Sequence, residues 1–291
     1  MSPFAEIQLI FQREMRKSVR SVKGIILAVL ALLASGVASL VCITLEAAQR
    51  DKLSAGDTEA FYKMQEDALS KAGASPDLAH YLSHVPLSLH LFLKFGVWVA
   101  PALVVFIGFD SVSSDVQHRA VRYWTVRTRR WTYLLGKFLG LWATVSLVTL
   151  ALYVFAATAV LIKGYISFGE FFKWGLQFWF FSALIASTWC AVAVFVSSQL
   201  KTPFLALFAT LAAFFLLWLP GFVGWVLRVN DALDSGHLAD LRWFEYIYPN
   251  AYDDLLINPK WSKTLTGIGA VLVHWVIFIG GGAWLFEKKD V

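Results

Sequence analysis

The stretch Phe138–Ile162, FLGLWATVSLVTLALYVFAATAVLI, holds no Asp, Glu, Lys, Arg or His. A helix needs only about 20 mainly apolar residues to cross a bilayer, and this run is longer than that. Trp174–Leu200 repeats the pattern, as do Gly24–Leu45 and Thr202–Leu227. Thr264–Phe286 is interrupted only by His274, and Leu91–Phe109 carries Lys94 near its start and Pro101 within it. The lysine can snorkel to the headgroups, and a neighbouring helix can satisfy the carbonyl that Pro101 leaves unbonded. The reading is an all-α, polytopic membrane protein with spans at about 24–45, 91–109, 138–162, 174–200, 202–227 and 264–286. Composition agrees: 58% hydrophobic, 16% aromatic and 15% charged residues, with mean hydropathy +0.62, lie outside the range of soluble domains.

Lys and Arg set the orientation. With the N-terminus inside, segments 1–23, 111–137, 198–203 and 287–291 hold fourteen of the 25 Lys and Arg, in fewer positions than the outside segments that hold the rest. Both termini are therefore expected in the cytoplasm. The net charge of +5 then reflects basic segments facing anionic membrane lipid rather than nucleic acid. The first apolar run is too long for a signal-peptide core and follows a basic leader, so it is expected to stay as an anchor. Cys42 and Cys190 fall within spans and imply no disulfide framework.

Between the spans, residues 3–22 place Phe4, Ile7, Phe11, Met15, Ser18 and Val22 at helical spacing, with Arg13, Arg16, Lys17 and Arg20 mostly elsewhere on the wheel. This predicts an amphipathic helix lying in the membrane interface; a plain basic flank is the alternative. The outside loop 46–90 is expected to form a small ordered cap, with a helix over 57–72 ended by Gly73 and a second opened by Ser75-Pro76. A second outside segment, 228–263, is rich in aromatic residues.

The segment 110–140, DSVSSDVQHRAVRYWTVRTRRWTYLLGKFLG, interleaves Arg119, Arg122, Arg127, Arg129, Arg130 and Lys137 with Val121, Tyr123, Trp124, Val126 and Trp131. It is too polar for lipid and long enough for a docking helix whose aromatic side enters a protein groove while its arginines meet an acidic rim. A nucleic-acid role is set aside, because a membrane-tethered loop with no binding module does not supply one.

The order of these pieces resembles the six-span permease subunits of type-2 ABC exporters: an amphipathic leader, a long first outside loop, Asp110 and Asp115 after the second span, an arginine-bearing stretch, Leu135-Gly136-Lys137-Phe138-Leu139-Gly140 opening the third span, and a Phe286-Glu-Lys-Lys-Asp290-Val ending. The chain departs from the usual pattern at Asp115, at Ala120-Val121 and near Thr128. The resemblance implies that the permease dimerises with a second copy or a similar chain. It also implies that each permease engages a separate cytoplasmic ABC ATPase through the leader helix and this coupling segment, the latter at Asp115, Arg119, Arg122, Tyr123, Trp124 and Arg127. ATP and magnesium belong to that partner: Gly136-Lys137 is followed by Phe138, without the upstream Gly or the Ser/Thr of a phosphate loop. No cofactor is expected on this chain, and the expected location is the inner membrane, with lipids as further partners.

Enzyme readings are weaker. His80 and His84 stand one helical turn apart, but Tyr81 occupies the place of a metalloprotease glutamate. Asp253-Asp254 lie in a loop, where capping or solvation is the ordinary use of such acids. His274, inside a span, is expected to be neutral and hydrogen-bonded to a neighbouring helix. A non-transporting scaffold or a membrane-embedded enzyme is the alternative to a permease, and the spans do not select the substrate.

Overall fold

A computed structural model describes residues 2–54, 58–71, 74–229 and 244–288. The leader is helix α1 (Pro3–Arg20). Ser2 caps it by accepting from the Ala5 amide at 3.3 Å, and Pro3 stands in the first turn, where no amide is needed. Ser21, in extended conformation, ends α1 and turns the chain into α2 (Val22–Ser54). At this elbow the Ser21 hydroxyl donates to the Ser18 carbonyl and accepts from the Gly24 amide, each at 3.0 Å. A Cβ on Gly24 would overlap the Ser18 carbonyl oxygen, so only glycine permits the turn.

Helices α3 (Thr58–Lys71) and α4 (Pro76–Ser83) follow, close to the two helices expected in this loop. Gly73 lies outside the described residues, and Ser75 sits at the N-cap position of α4 without a side-chain bond. Then come α5 (Leu87–Gly108), the short α6 (Ser113–Gln117) and α7 (Ala120–Arg127), and α8 (Arg130–Ile162). The one-turn α9 (Phe168–Glu170) leads through a π-turn into α10 (Leu176–Gln199), and α11 (Pro203–Val229) follows. After a 3-10 turn at Pro249–Tyr252 come α12 (Asp253–Leu256), α13 (Trp261–Trp275), a π-turn and α14 (Gly281–Glu287). Among the described residues there is no strand, and six helical stretches are long and apolar enough to cross a membrane.

Several helices outrun the uncharged stretches, because their charges find partners within the protein. Helix α8 starts at Arg130, eight residues before Phe138, and carries Lys137 in its buried face. Helix α2 runs on past Leu45, and Glu46 on it is buried. The Glu46 carboxylate accepts from the Ser88 amide at 2.9 Å. This caps the buried, otherwise unpaired amide in the first turn of α5, whose own N-cap residue is Pro86 and offers no side-chain acceptor. An acid that reads as the end of a span is instead a cap reaching across to another helix.

Helix α10 is the central element: 89% of its most apolar stretch is buried, against 25% for α2 and 22% for α11. Indole N–H groups tie it in. Trp142 on α8 donates to the Ala183 carbonyl at 2.8 Å, Trp179 donates back to the Ser146 carbonyl at 3.2 Å, and Trp275 donates to the Ser187 hydroxyl at 2.8 Å. Pro101 leaves the Val97 carbonyl without its helical partner. Asn250 supplies one: its Nδ2 donates to that carbonyl at 3.2 Å, while its Oδ1 accepts from Trp189 at 2.8 Å. The satisfying group comes from a loop rather than from a neighbouring span.

At this end of the bundle Lys94 does not snorkel outward. It pairs with Asp253 at 2.7 Å and Asp254 at 3.1 Å, so those acids are neither simply solvated nor only caps. His274 hydrogen-bonds the Ala270 carbonyl of its own helix at 2.8 Å, and its contact with the neighbouring 3-10 turn is edge-to-face with the Tyr252 ring at 5.7 Å. His80 faces Glu66 and His84 stacks on Tyr62.

Candidate functional site at the leader end

The opposite end of the bundle gathers α1, α6, α7, the start of α8 and the end of α14. Two glycines four residues apart on α8 allow α1 to lie against it. A Cβ at Gly136 would stand 2.8 Å from the Ile10 side chain, and one at Gly140 would stand 2.6 Å from Glu14. Small residues at this spacing let helix backbones approach closely. The face of α1 in this seam is Glu6, Ile10 and Glu14, all buried, whereas Phe4 is 76% exposed. The docking face is therefore turned from the apolar stripe expected from the sequence: Ile10 and two acids fill the seam, while Ile7, Phe11 and Met15 are only half-buried and Val22 belongs to α2.

Each acid has a partner on or beside α8. Glu6 accepts from the Thr132 hydroxyl at 2.7 Å and from the Arg129 amide at 3.1 Å. The Thr132 hydroxyl, and after it the Arg129 amide, hold the Glu6 carboxyl below the usual carboxylate range. Glu14 pairs with Lys137 at 2.7 Å. Lys137, 1% exposed, also stands 2.7 Å from Asp115 and donates to the Ser111 carbonyl at 2.7 Å. Three oxygens from three segments thus surround one ammonium that carries three donors. Tyr133 donates to Asp115 at 2.7 Å, and Arg13 approaches it at 3.6 Å. Two cations and two carboxylates make the cluster neutral, as burial requires.

The 111–130 segment is rooted in this cluster. The Ser197 hydroxyl, at the end of α10, accepts from the Val112 and Ser113 amides at 3.1 and 3.0 Å. Arg119, with φ 55°, joins α6 to α7 in the left-handed region that favours glycine. Arg130 closes the ring by donating to the Phe286 and Glu287 carbonyls at 2.9 Å, which caps the C-terminal end of α14 with a cation. Both ends of the described chain therefore meet here.

The residues singled out in the sequence divide into two groups. Asp115 is buried in the ion cluster and Trp124 is half-buried, with the Arg13 guanidinium 4.7 Å from its ring. Val121, expected in the docking stripe, is wholly buried in the chain's own core and is unavailable to a partner. Arg119, Arg122, Tyr123 and Arg127 face outward. The Arg127 guanidinium lies 4.2 Å over the Tyr123 ring. Val126, one turn from Tyr123, is 85% exposed and completes the outward apolar pair. Its spacing in the sequence carried that signal, once Val121 is assigned to the inner face.

A family model described as "ABC-2 family transporter protein" matches residues 8–291, nearly the whole chain. The chain belongs to the ABC-2 transporter family. No curated protein shows a significant match. As an ABC-2 chain with six apolar helices it is a multi-pass membrane protein and a permease component. In this permease, the Leu-Gly-Lys-Phe-Leu-Gly stretch at 135–140 has a physical use: its glycines seat the leader and its lysine holds the acids of α1 and α6.

Proposed function

We propose that this permease is the membrane-spanning subunit of an ABC exporter. It dimerises with a second permease copy and couples to separate cytoplasmic ATPase subunits to move a substrate across the cytoplasmic membrane, with both termini inside. The observation that carries the reading is the outward face of α6–α7. Tyr123 and Val126 are flanked there by Arg119, Arg122 and Arg127, on a segment anchored through Asp115 and Lys137 to the third span. A push on that face would reach α8 and α1 through buried ion pairs rather than through a loose loop. ATP and magnesium act on the partner chain, and this chain supplies the docking surface.

The test replaces outward residues only. Tyr123→Ala combined with Val126→Asp should weaken ATPase association or uncouple hydrolysis from transport while the permease still inserts, since truncating an aromatic anchor commonly costs upward of about 2 kcal/mol. Trp124→Ala is less discriminating, because it also removes the surface beneath Arg13. Unchanged ATPase binding and transport in the double variant would reduce the segment to a basic membrane flank. Orientation is tested by labelling: a cysteine replacing Gln65 should react from outside and one replacing Ala120 only from inside.

A further inference from the structure

A cavity of about 530 Å³ lies between the leader, α2, α5 and α8, within the size range of small-molecule sites. Its two ends differ in chemistry. The end beside the elbow presents Lys17 and Ser18, together with Asp110 and Ser111. The remainder is apolar, walled by Ile25, Val29 and Leu32 of α2 and by Leu147 and Val148 of α8. These walls are open: Ile25 is 59%, Val29 53%, Leu32 48% and Leu147 52% exposed, on helices apolar enough to cross a membrane. Glu14, also at the polar end, is already neutralised by Lys137. Lys17 makes no hydrogen bond or ion pair among the described residues, although its charge also acts on Asp115. Asp110 has a partner of its own, and the exposed Arg16 and Arg20 on the same helix add positive charge beside the elbow.

We propose that this cavity is a binding site for one anionic glycerophospholipid of the surrounding leaflet. Its phosphate meets Lys17 and the Ser18 hydroxyl at the elbow, and one acyl chain lies along Val29, Leu32 and Leu147. The charge at one end and the open apolar wall at the other match a lipid in the orientation the bilayer imposes, with the headgroup at the leader's depth. This site is separate from the outward face of α6–α7, so it does not depend on ATPase docking.

The experiment is native mass spectrometry of the detergent-purified permease with added phosphatidylglycerol or phosphatidylcholine of identical chains. The wild type should retain one phosphatidylglycerol under conditions that strip phosphatidylcholine. Lys17→Gln should lower that retention about fivefold, the loss expected of one basic contact to an anionic headgroup. Leu147→Trp, which fills the wall at a half-exposed position and leaves every charge in place, should lower it as well. Matching circular dichroism spectra would show that both variants fold. Equal retention of the two lipids by the wild type, or retention indifferent to both variants, would mean annular lipid only and overturn the proposal. Loss of transport with phosphatidylglycerol retention intact would assign the cavity to the transported cargo and overturn it too.

Discussion

Two lysines, each facing two carboxylates, sit at opposite ends of this bundle and behave as different devices. Lys137 is 1% exposed and joins α1, α6 and α8 in a seam that exists only because Gly136 and Gly140 let the helices touch. Lys94 keeps 34% of its side chain exposed and ties α5 to the loop helix α12. Water reaches Asp254, 38% exposed beside Lys94, but neither acid beside Lys137, so equal charge counts carry unequal energetic weight.

Replacing each lysine is the most direct way to break that contrast. Lys137→Met leaves Glu14 and Asp115 buried with Arg13, 3.6 Å from Asp115, as the remaining countercharge. It should destabilise the permease by about 3–5 kcal/mol, seen as lost accumulation or early unfolding in detergent. Adding Glu14→Gln and Asp115→Asn should restore most of the loss, and failure to do so would show that the ammonium has another essential role. Next in size is Gly140→Leu, which drives a side chain into Glu14 and should cost about 1–3 kcal/mol by overpacking. Gly269→Ala on α13, where an added Cβ meets nothing within 4 Å, is the matched control and should be nearly silent.

Asn250→Leu, at the far end, should cost about 1–3 kcal/mol by orphaning the Trp189 indole and the Val97 carbonyl. Pro101→Ala would give Val97 back its helical partner, so the double variant should be less damaged than the sum of the two singles. Strict additivity would separate Asn250 from Pro101. Lys94→Gln should lose no more than about 1 kcal/mol, and a loss equal to that of Lys137→Met would erase the distinction between the two ends.

Acid supplies the smallest and most selective perturbation. The Glu6 carboxyl titrates below its ordinary 4.5 in the folded protein, so its contribution is complete above that value and disappears as pH falls through the lowered folded value. A spin label at the exposed Gln8 should gain mobility only in that acidic window. Glu6→Gln should remove the pH dependence.

Much of the architecture was legible from local composition. The uncharged runs and the breaks between them mark six stretches able to cross a membrane, and Pro101 signals a carbonyl in need of a partner. The candidate site was legible only in outline. The arginine and aromatic residues of 119–127 mark an unusual segment, but they do not say that Val121 turns inward while Val126 turns out. A short helix entered through a left-handed residue has a phase that its sequence spacing does not reveal. The leader's apolar stripe was visible, whereas the buried use of Glu6 and Glu14 was not, because acids ordinarily mark a solvated face.

By itself, then, the sequence determined that this chain is a helical membrane protein of the ABC-2 order of parts, because hydropathy is a property each residue carries wherever it sits. Tertiary structure alone decided which charges belong together. Glu6 meets Thr132 across 126 positions, and Lys94 meets Asp253 across 159. A pairing over such distances depends on which helices lie side by side, and here that is set by the missing side chains of Gly136 and Gly140 and by the need to leave no buried charge or carbonyl without a partner.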